Sequence, residues 1–498
     1  MSIFRDKFYL PAIFLFLVSF IWFSKIFYIW DHDTGLWYLI SNHFDKDYIP
    51  YGNEFDNKGP LFFLFIKLVS NIIGYGVYQA YILYSLTIFL FFIILLYLLN
   101  KKKLDYQIFW ILILSFSSIF FLRKPHIVFI LFYYSFFIPF IYCLINSIIK
   151  KNSNFLFLSV IFFSLSSIIL IDVYLYSPLL VLTHIYLYLF NKKNLLTFTL
   201  YGFLYFLVFL IINYLPKIYY GYSFEDFFLS YFLYNLNGPS TGPVNSIEFI
   251  YFLVLTLILP LFLITIFYSN FLRVLTKKYD YFIIAIFILI TIFKYFYFSD
   301  GRNGRYLLYL YIPFIYFIIH FSEFIKINKI IMTFSIIIML FVHGKNLAPP
   351  ILKNIIQHKC FINFFCDAPS YANLFKGTVD YLNKNKDKKY YFVDINSWIL
   401  VITNSDFHGV INNYYIYSCK SGNCTDKIDK NEPWFTNGLL EAHNNFLNGK
   451  YGNFIIHDHN FVRHTDKLSK FWKEIKLHEQ SWKYLDHFIL LKIKENKN

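Results

Sequence analysis

The sequence predicts a polytopic α-helical membrane protein of about eleven transmembrane helices, with interfacial helices in its first outer loop and a small extracytoplasmic α/β domain at its carboxyl end. Three observations carry that expectation. Of the 498 residues, 58% are hydrophobic and only 15% are charged. The apolar runs repeatedly approach the ~20 residues that a helix needs to cross a bilayer. Lys and Arg sit largely in short clusters between those runs, so the net charge of +15 reads as membrane orientation and not as a nucleic-acid footprint. The 65 Phe and 45 Tyr read as compositional background.

The first apolar run, residues 8–30, follows Arg5 and Lys7 and has no small-residue cleavage site, so it reads as a retained first helix with a cytoplasmic amino terminus. Residues 31–60 then lie outside. Residues 61–73 contain Lys67 and would be only about 20 Å long as a helix, too short to cross, which predicts a helix lying in the interface. Residues 77–99 form the second span and run inward to Lys101, Lys102 and Lys103. Residues 106–122 run outward and 126–149 return to Lys150 and Lys151. Residues 155–171 and 173–190 make a tight pair, and 195–215 lead out to a long polar loop, 216–246. Residues 247–268, 281–298, 306–321 and 330–342 complete the eleven, with the basic turns mostly on one side.

Beyond residue 344 the apolar runs shorten, which divides the chain into a membrane domain, 1–344, and an outer domain, 345–498. Within the latter, 371–385 and 466–475 read as helices, and 390–394, 398–402, 453–457 and 487–494 as strands. Cys360, Cys366, Cys419 and Cys424 fall there in two close pairs, which suits one or two disulfides in an oxidising compartment; a zinc site from the same thiols is the rival. Cys143 lies in a span. His457, Asp458 and His459 are metal ligands by type but lack an obvious third partner, and read as surface loop.

Candidate chemistry concentrates on the outer side. Asp31, Asp33, Asp45, Asp47, Glu54 and Asp56 crowd the first loop with Lys58, and acids at a membrane boundary are costly unless they face water or a partner. The Lys58-Gly59-Pro60 turn, placed before an interfacial helix, can hold one ammonium at headgroup depth to meet a lipid phosphate. The loop 216–246 carries Glu225, Asp226 and the turn-rich 237–243; a plain connector and a flap over the site both fit it. Arg302 and Arg305 stand on the side where basic residues are scarce, as headgroup anchors or as a clamp on a lipid phosphate. Arg123, Lys124 and His126 are weaker candidates at a helix end.

These residues resemble the GT-C superfamily of glycosyltransferases, membrane enzymes related to protein O-mannosyltransferases and bacterial aminoarabinose transferase. The match runs through Asp33-Thr34-Gly35, Ile49-Pro50-Tyr51 and Asp56-Asn57-Lys58-Gly59-Pro60, with a later one at Arg305-Tyr306-Leu307-Leu308 and Pro313. It departs from the family pattern where Gly59 replaces a usual Pro and Arg305 stands where His is common. The resemblance implies a polyprenyl-phosphate sugar as donor and a glycan, lipid or protein as acceptor, with no nucleotide sugar and no nucleic acid. It implies Asp33 as the base, with Asp31 as the alternate. Lys58, with Arg302, Arg305 and Tyr306, would bind the donor's lipid phosphate, and Glu54 and Asp56 would be supporting acids. Relatives that transfer oligosaccharides bind a divalent cation with paired acids; here Lys58 can supply that charge, so no metal ligand is assigned. The implied location is the bacterial inner membrane. A polymerase or ligase of lipid-linked polysaccharide remains an alternative. So does a transporter or flippase, although no internal repeat is evident.

Overall fold

A computed structural model describes residues 32–43, 58–101, 127–191, 195–228, 231, 337, 376–386, 391–393, 397–404, 453–457, 479–485 and 488–493. Its helices are α1 (His32–His43), α2 (Pro60–Ile73), α3 (Val77–Lys101), α4 (Ile127–Ile149), α5 (Ser153–Ser167), a 3-10 turn (Ile171–Tyr176), α6 (Ser177–Asn191), α7 (Leu195–Tyr220) and the short α8 (Phe224–Phe227). The carboxyl part adds α9 (Lys376–Lys384), β1 (Tyr391–Val393), α10 (Ser397–Thr403), β2 (Asn453–His457), β3 (Glu479–Leu485) and β4 (Phe488–Ile493).

By contact, these elements fall into two units. One spans 84–213; the other joins the first-loop helices, residues 214–231 and the carboxyl elements. In the first unit α4, α5 and α6 pack together. The α4–α5 turn is tight because Lys151 adopts φ 53° and the Asn152 side chain caps α5 by accepting from the Asn154 amide at 2.8 Å. Where 155–171 and 173–190 are expected as two spans, the helices are shorter and a 3-10 turn separates them. The cause is local: the hydroxyls of Ser164, Ser166 and Ser167 donate back to the carbonyls of Val160, Phe162 and Ser164, each at 2.8 Å, and such bonds compete with helix continuation. Ser167 also donates to Asn213 Oδ1 at 3.0 Å, a polar tie between apolar helices.

Helix α7 runs past its expected end at 215 and absorbs Pro216. It stops at Gly221, whose φ of 70° and amide bond to the Lys217 carbonyl, 2.9 Å, make a left-handed cap. Two of the described helices, Val128–Ile149 and Leu195–Tyr220, are long and apolar enough to cross a membrane. They differ in what surrounds them. The first is 83% buried within the protein, whereas only 6% of the second's apolar stretch is covered, leaving Leu200, Phe203, Leu207, Ile211 and Leu215 open. An uncovered apolar surface of that extent suits a nonpolar surrounding better than water.

In the second unit the sheet has the order β1-β2-β4-β3. β1 and β2 are parallel, and β4 is antiparallel to both β2 and β3. The strand expected at 453–457 is present with those bounds, those expected at 390–394 and 487–494 are described over Tyr391–Val393 and Phe488–Ile493, and β3 has no counterpart among the strands expected from the sequence. The helix expected at 371–385 is described from Lys376 to Lys384. The expectation of a strand at 398–402 is overturned, because Ser397–Thr403 is helical. A short apolar run does not distinguish strand from helix by period. Here the segment is buried on every side, and a helix satisfies its own backbone groups without a neighbouring strand; the Thr403 hydroxyl completes it by donating to the Ile399 carbonyl at 2.9 Å. The expected spans at 8–30, 106–122, 247–268, 281–298, 306–321 and 330–342, Ile337 apart, lie outside the described residues, as do the helix at 466–475 and the four paired cysteines.

Candidate functional site

The first-loop sequence His32–His43 folds as α1, a helix buried almost throughout: from Thr34 to Ser41 no side chain is more than 1% exposed. Asp33 lies in its first turn. One side of α1 meets α2. Trp37 meets Phe62 edge to face at 5.4 Å, Tyr38 stacks on Tyr75 at 5.3 Å, and Asn42 Nδ2 donates to Ser70 Oγ at 3.2 Å. The other contact is with α10, where Gly35 lies against Ser397 and Trp398.

The Lys58-Gly59-Pro60 motif starts α2. Gly59 is the residue before the helix, with φ −74° and ψ 151°, and Pro60 takes the first helical position, where its missing amide costs nothing and its fixed φ suits the helix. The Phe62 amide donates to the Gly59 carbonyl at 3.2 Å. The Gly59 backbone is thus one that proline also adopts. Lys58 points its ammonium over the Trp37 ring, 5.6 Å from the centroid, a cation–π contact of about 0.5–2 kcal/mol. Asp33 and Trp37 are separated by four positions on α1, hence one turn apart on the same side. The ammonium-bearing turn and the aspartate-bearing turn therefore belong to one packed pair of helices.

Three further groups hold that pair. Lys67, 9% exposed, donates to the Asn42 carbonyl at 3.4 Å, so the cation meets the carboxyl end of α1 and offsets its partial negative charge. The Tyr38 hydroxyl accepts from the Gly76 amide at 3.1 Å and donates to the Gly74 carbonyl at 3.4 Å, bracing the α2–α3 link. That link needs glycine, since Gly74 and Gly76 have φ of 90° and 151°. Burial raises the Tyr38 phenol above its ordinary 10.0, and the Gly76 bond offsets this only in part. Burial, with Tyr38 beside it, pushes Tyr75 up too. Both stay protonated at neutral pH, and Tyr38 acts as a hydrogen-bonding group, not a base.

From the other side, the Tyr220 hydroxyl donates to the Pro60 carbonyl at 3.3 Å. Tyr220 begins a file of near-parallel rings: Tyr222 at 6.3 Å, then Phe227 at 5.1 Å from Tyr222, and Tyr231 at 5.0 Å from Phe227. This file occupies part of the segment expected as a polar loop at 216–246. Its start belongs to α7, Tyr222 and Tyr231 are buried, and Glu225 is exposed on α8; residues 232–246, with the turn-rich 237–243, lie outside the described residues.

Of the expected site residues, Lys58 and the backbone of Asp33 are thus brought into one helix pair. Asp31, Glu54, Asp56, Arg302, Arg305 and Tyr306 lie outside the described residues. His457 ends β2 in register with Phe488. Among the described residues, no group of three His, Cys, Asp or Glu side chains comes together as metal ligands. Trp37, Tyr38 and Asn42 were not singled out from sequence, and residues 36–40 are a continuous apolar run whose period does not distinguish helix from strand. Lys67 stood out only as a charge inside an apolar run. No protein-family model matches the chain, and no curated protein matches it.

Proposed function

We propose that the chain is a membrane glycosyltransferase that takes a sugar from a polyprenyl-phosphate carrier and passes it to an acceptor hydroxyl on the outer side of a bacterial inner membrane. The acceptor is a cell-envelope glycan, a lipid or a protein. Asp33, with Asp31 as alternate, takes the hydroxyl proton as the acceptor oxygen attacks the anomeric carbon. The bond from that carbon to the phosphate oxygen breaks, the configuration inverts, and the electron pair leaves on the lipid phosphate. Lys58, assisted by Arg302, Arg305 and Tyr306, stabilises the charge growing there. Glu54 and Asp56 support the loop.

The observation that supports this reading is the Lys58 ammonium over Trp37, one turn from Asp33, with Lys58 set at the start of an apolar helix. A cation so held is pre-ordered for a phosphate as a point charge. The uncovered apolar length of α7 supports a membrane setting. The test is sugar release from a radiolabelled polyprenyl-phosphate-sugar pool by membranes containing the protein, without nucleotide sugar. Release above that of membranes lacking the chain, with inversion at the anomeric carbon, is expected; equal release in the two membranes overturns the proposal.

A further inference from the structure

A contact between segments more than three hundred positions apart gives α1 a second support. Ser397–Thr403 is buried almost entirely, with Trp398 8% exposed and Leu400 fully enclosed, and it packs on α1. The closest approach is at Gly35, two residues after Asp33. A Cβ built there would lie 2.5 Å from Ser397 Oγ and 3.1 Å from two atoms of the Trp398 ring. Gly35 is helical, so its backbone does not demand glycine; the space does. Trp37, two residues on and so about 200° round the helix from Gly35, pins the opposite flank of α1 to Phe62. Helix α1 is thereby wedged between α2, which starts with the Lys58 turn, and α10 of the carboxyl part.

We infer that α10 is a clamp on α1, seated on the bare backbone of Gly35, and that Ser397 and Trp398 are positioning residues for the turn that carries Asp33. The carboxyl part then serves the first-loop site directly, by fixing where the aspartate-bearing turn stands relative to Lys58. The clamp itself does not depend on the sugar-transfer reading; its catalytic consequence rests on it.

The test uses the full chain in membranes, with Gly35→Ala and the compensating pair Gly35→Ala/Ser397→Ala, which trades the hydroxyl for the added methyl. Amide hydrogen exchange is read in segments 32–43 and 397–403, and donor turnover alongside. Gly35→Ala is expected to raise exchange about tenfold in both segments, with the double variant restoring part of the protection, since two Trp398 ring atoms still stand 3.1 Å from the new methyl. It is also expected to lower kcat per folded molecule with KM for the lipid-linked donor unchanged, partly restored in the double variant, while exchange in segment 127–149 stays as in the native chain, which general unfolding would not allow. Unchanged exchange in both segments, or an increase that Ser397→Ala does not lessen, overturns the clamp. Raised exchange with unaltered kcat overturns the positioning role. If the native chain consumes no donor while exchange behaves as expected, the sugar-transfer reading fails and the clamp stands.

Discussion

Lys58 is the residue on which the proposed chemistry turns, and its surroundings say how far it can be altered. Its ammonium is held over Trp37, so Trp37→Leu removes both the cation–π contact and the edge-to-face contact with Phe62, while Trp37→Phe keeps a ring in place. Donor turnover is expected to fall about tenfold in the Leu variant and by much less in the Phe variant, as equal-level membranes would show. Lys67 has a different task. It closes the carboxyl end of α1, and Lys67→Met is expected to cost about 1 kcal/mol, seen as a lowered unfolding midpoint, with KM for donor unaltered. Tyr38 adds a pH dependence of known sign. Its folded pKa lies above the ordinary 10.0, so its contribution is complete below about pH 10 and is lost as pH rises through the raised value. Ionisation takes away the proton that Tyr38 gives to the Gly74 carbonyl, while the Gly76 amide keeps its acceptor, so the unfolding midpoint is expected to hold through neutral pH and to fall in strong alkali, and Tyr38→Phe should lower it already at neutral pH.

At the scale of elements, the difference between α4 and α7 carries a prediction of its own. Both are apolar, but α4 is buried among helices and α7 is not. Single cysteines at Leu207 or Ile211, both substantially exposed, are expected to resist a water-soluble maleimide in native membranes and to react with a lipid-soluble one. Reaction with the aqueous reagent at both positions would refute a lipid-facing α7. The same elements show what the sequence discloses. Long apolar runs such as 127–149 and 195–220 announced themselves, because their length far exceeds that of strands. Their ends did not: the halt of α5 comes from three serine hydroxyls bonding backwards, and the extension of α7 through Pro216 depends on a glycine cap five residues later. Residues 398–402 read as a strand because their apolar character is continuous; the enclosure of α10 by α1 and α9 favours the helix.

At the scale of the whole molecule, the first-loop helices and the carboxyl elements share one unit, although chain order separates them widely. The motif Asp33-Thr34-Gly35 was legible as a pattern, yet the reason for its glycine was not: the neighbour that fills the space is Trp398, and no local rule connects those positions. Lys58-Gly59-Pro60 was more legible, since Pro at a helix start and a cation before it are local features. The account therefore rests on two residues that sequence pattern picked out and on a packing of α1 that it did not. The most direct measurement compares donor consumption by the native chain with Asp33→Asn and Lys58→Ala in membranes holding all three at equal level. Loss of a base or of an oxyanion partner at a reacting centre typically costs about a hundredfold or more, and both variants are expected to fall by that much with the fold retained. Full activity in both variants would show that the first-loop helix pair is not where the sugar is transferred.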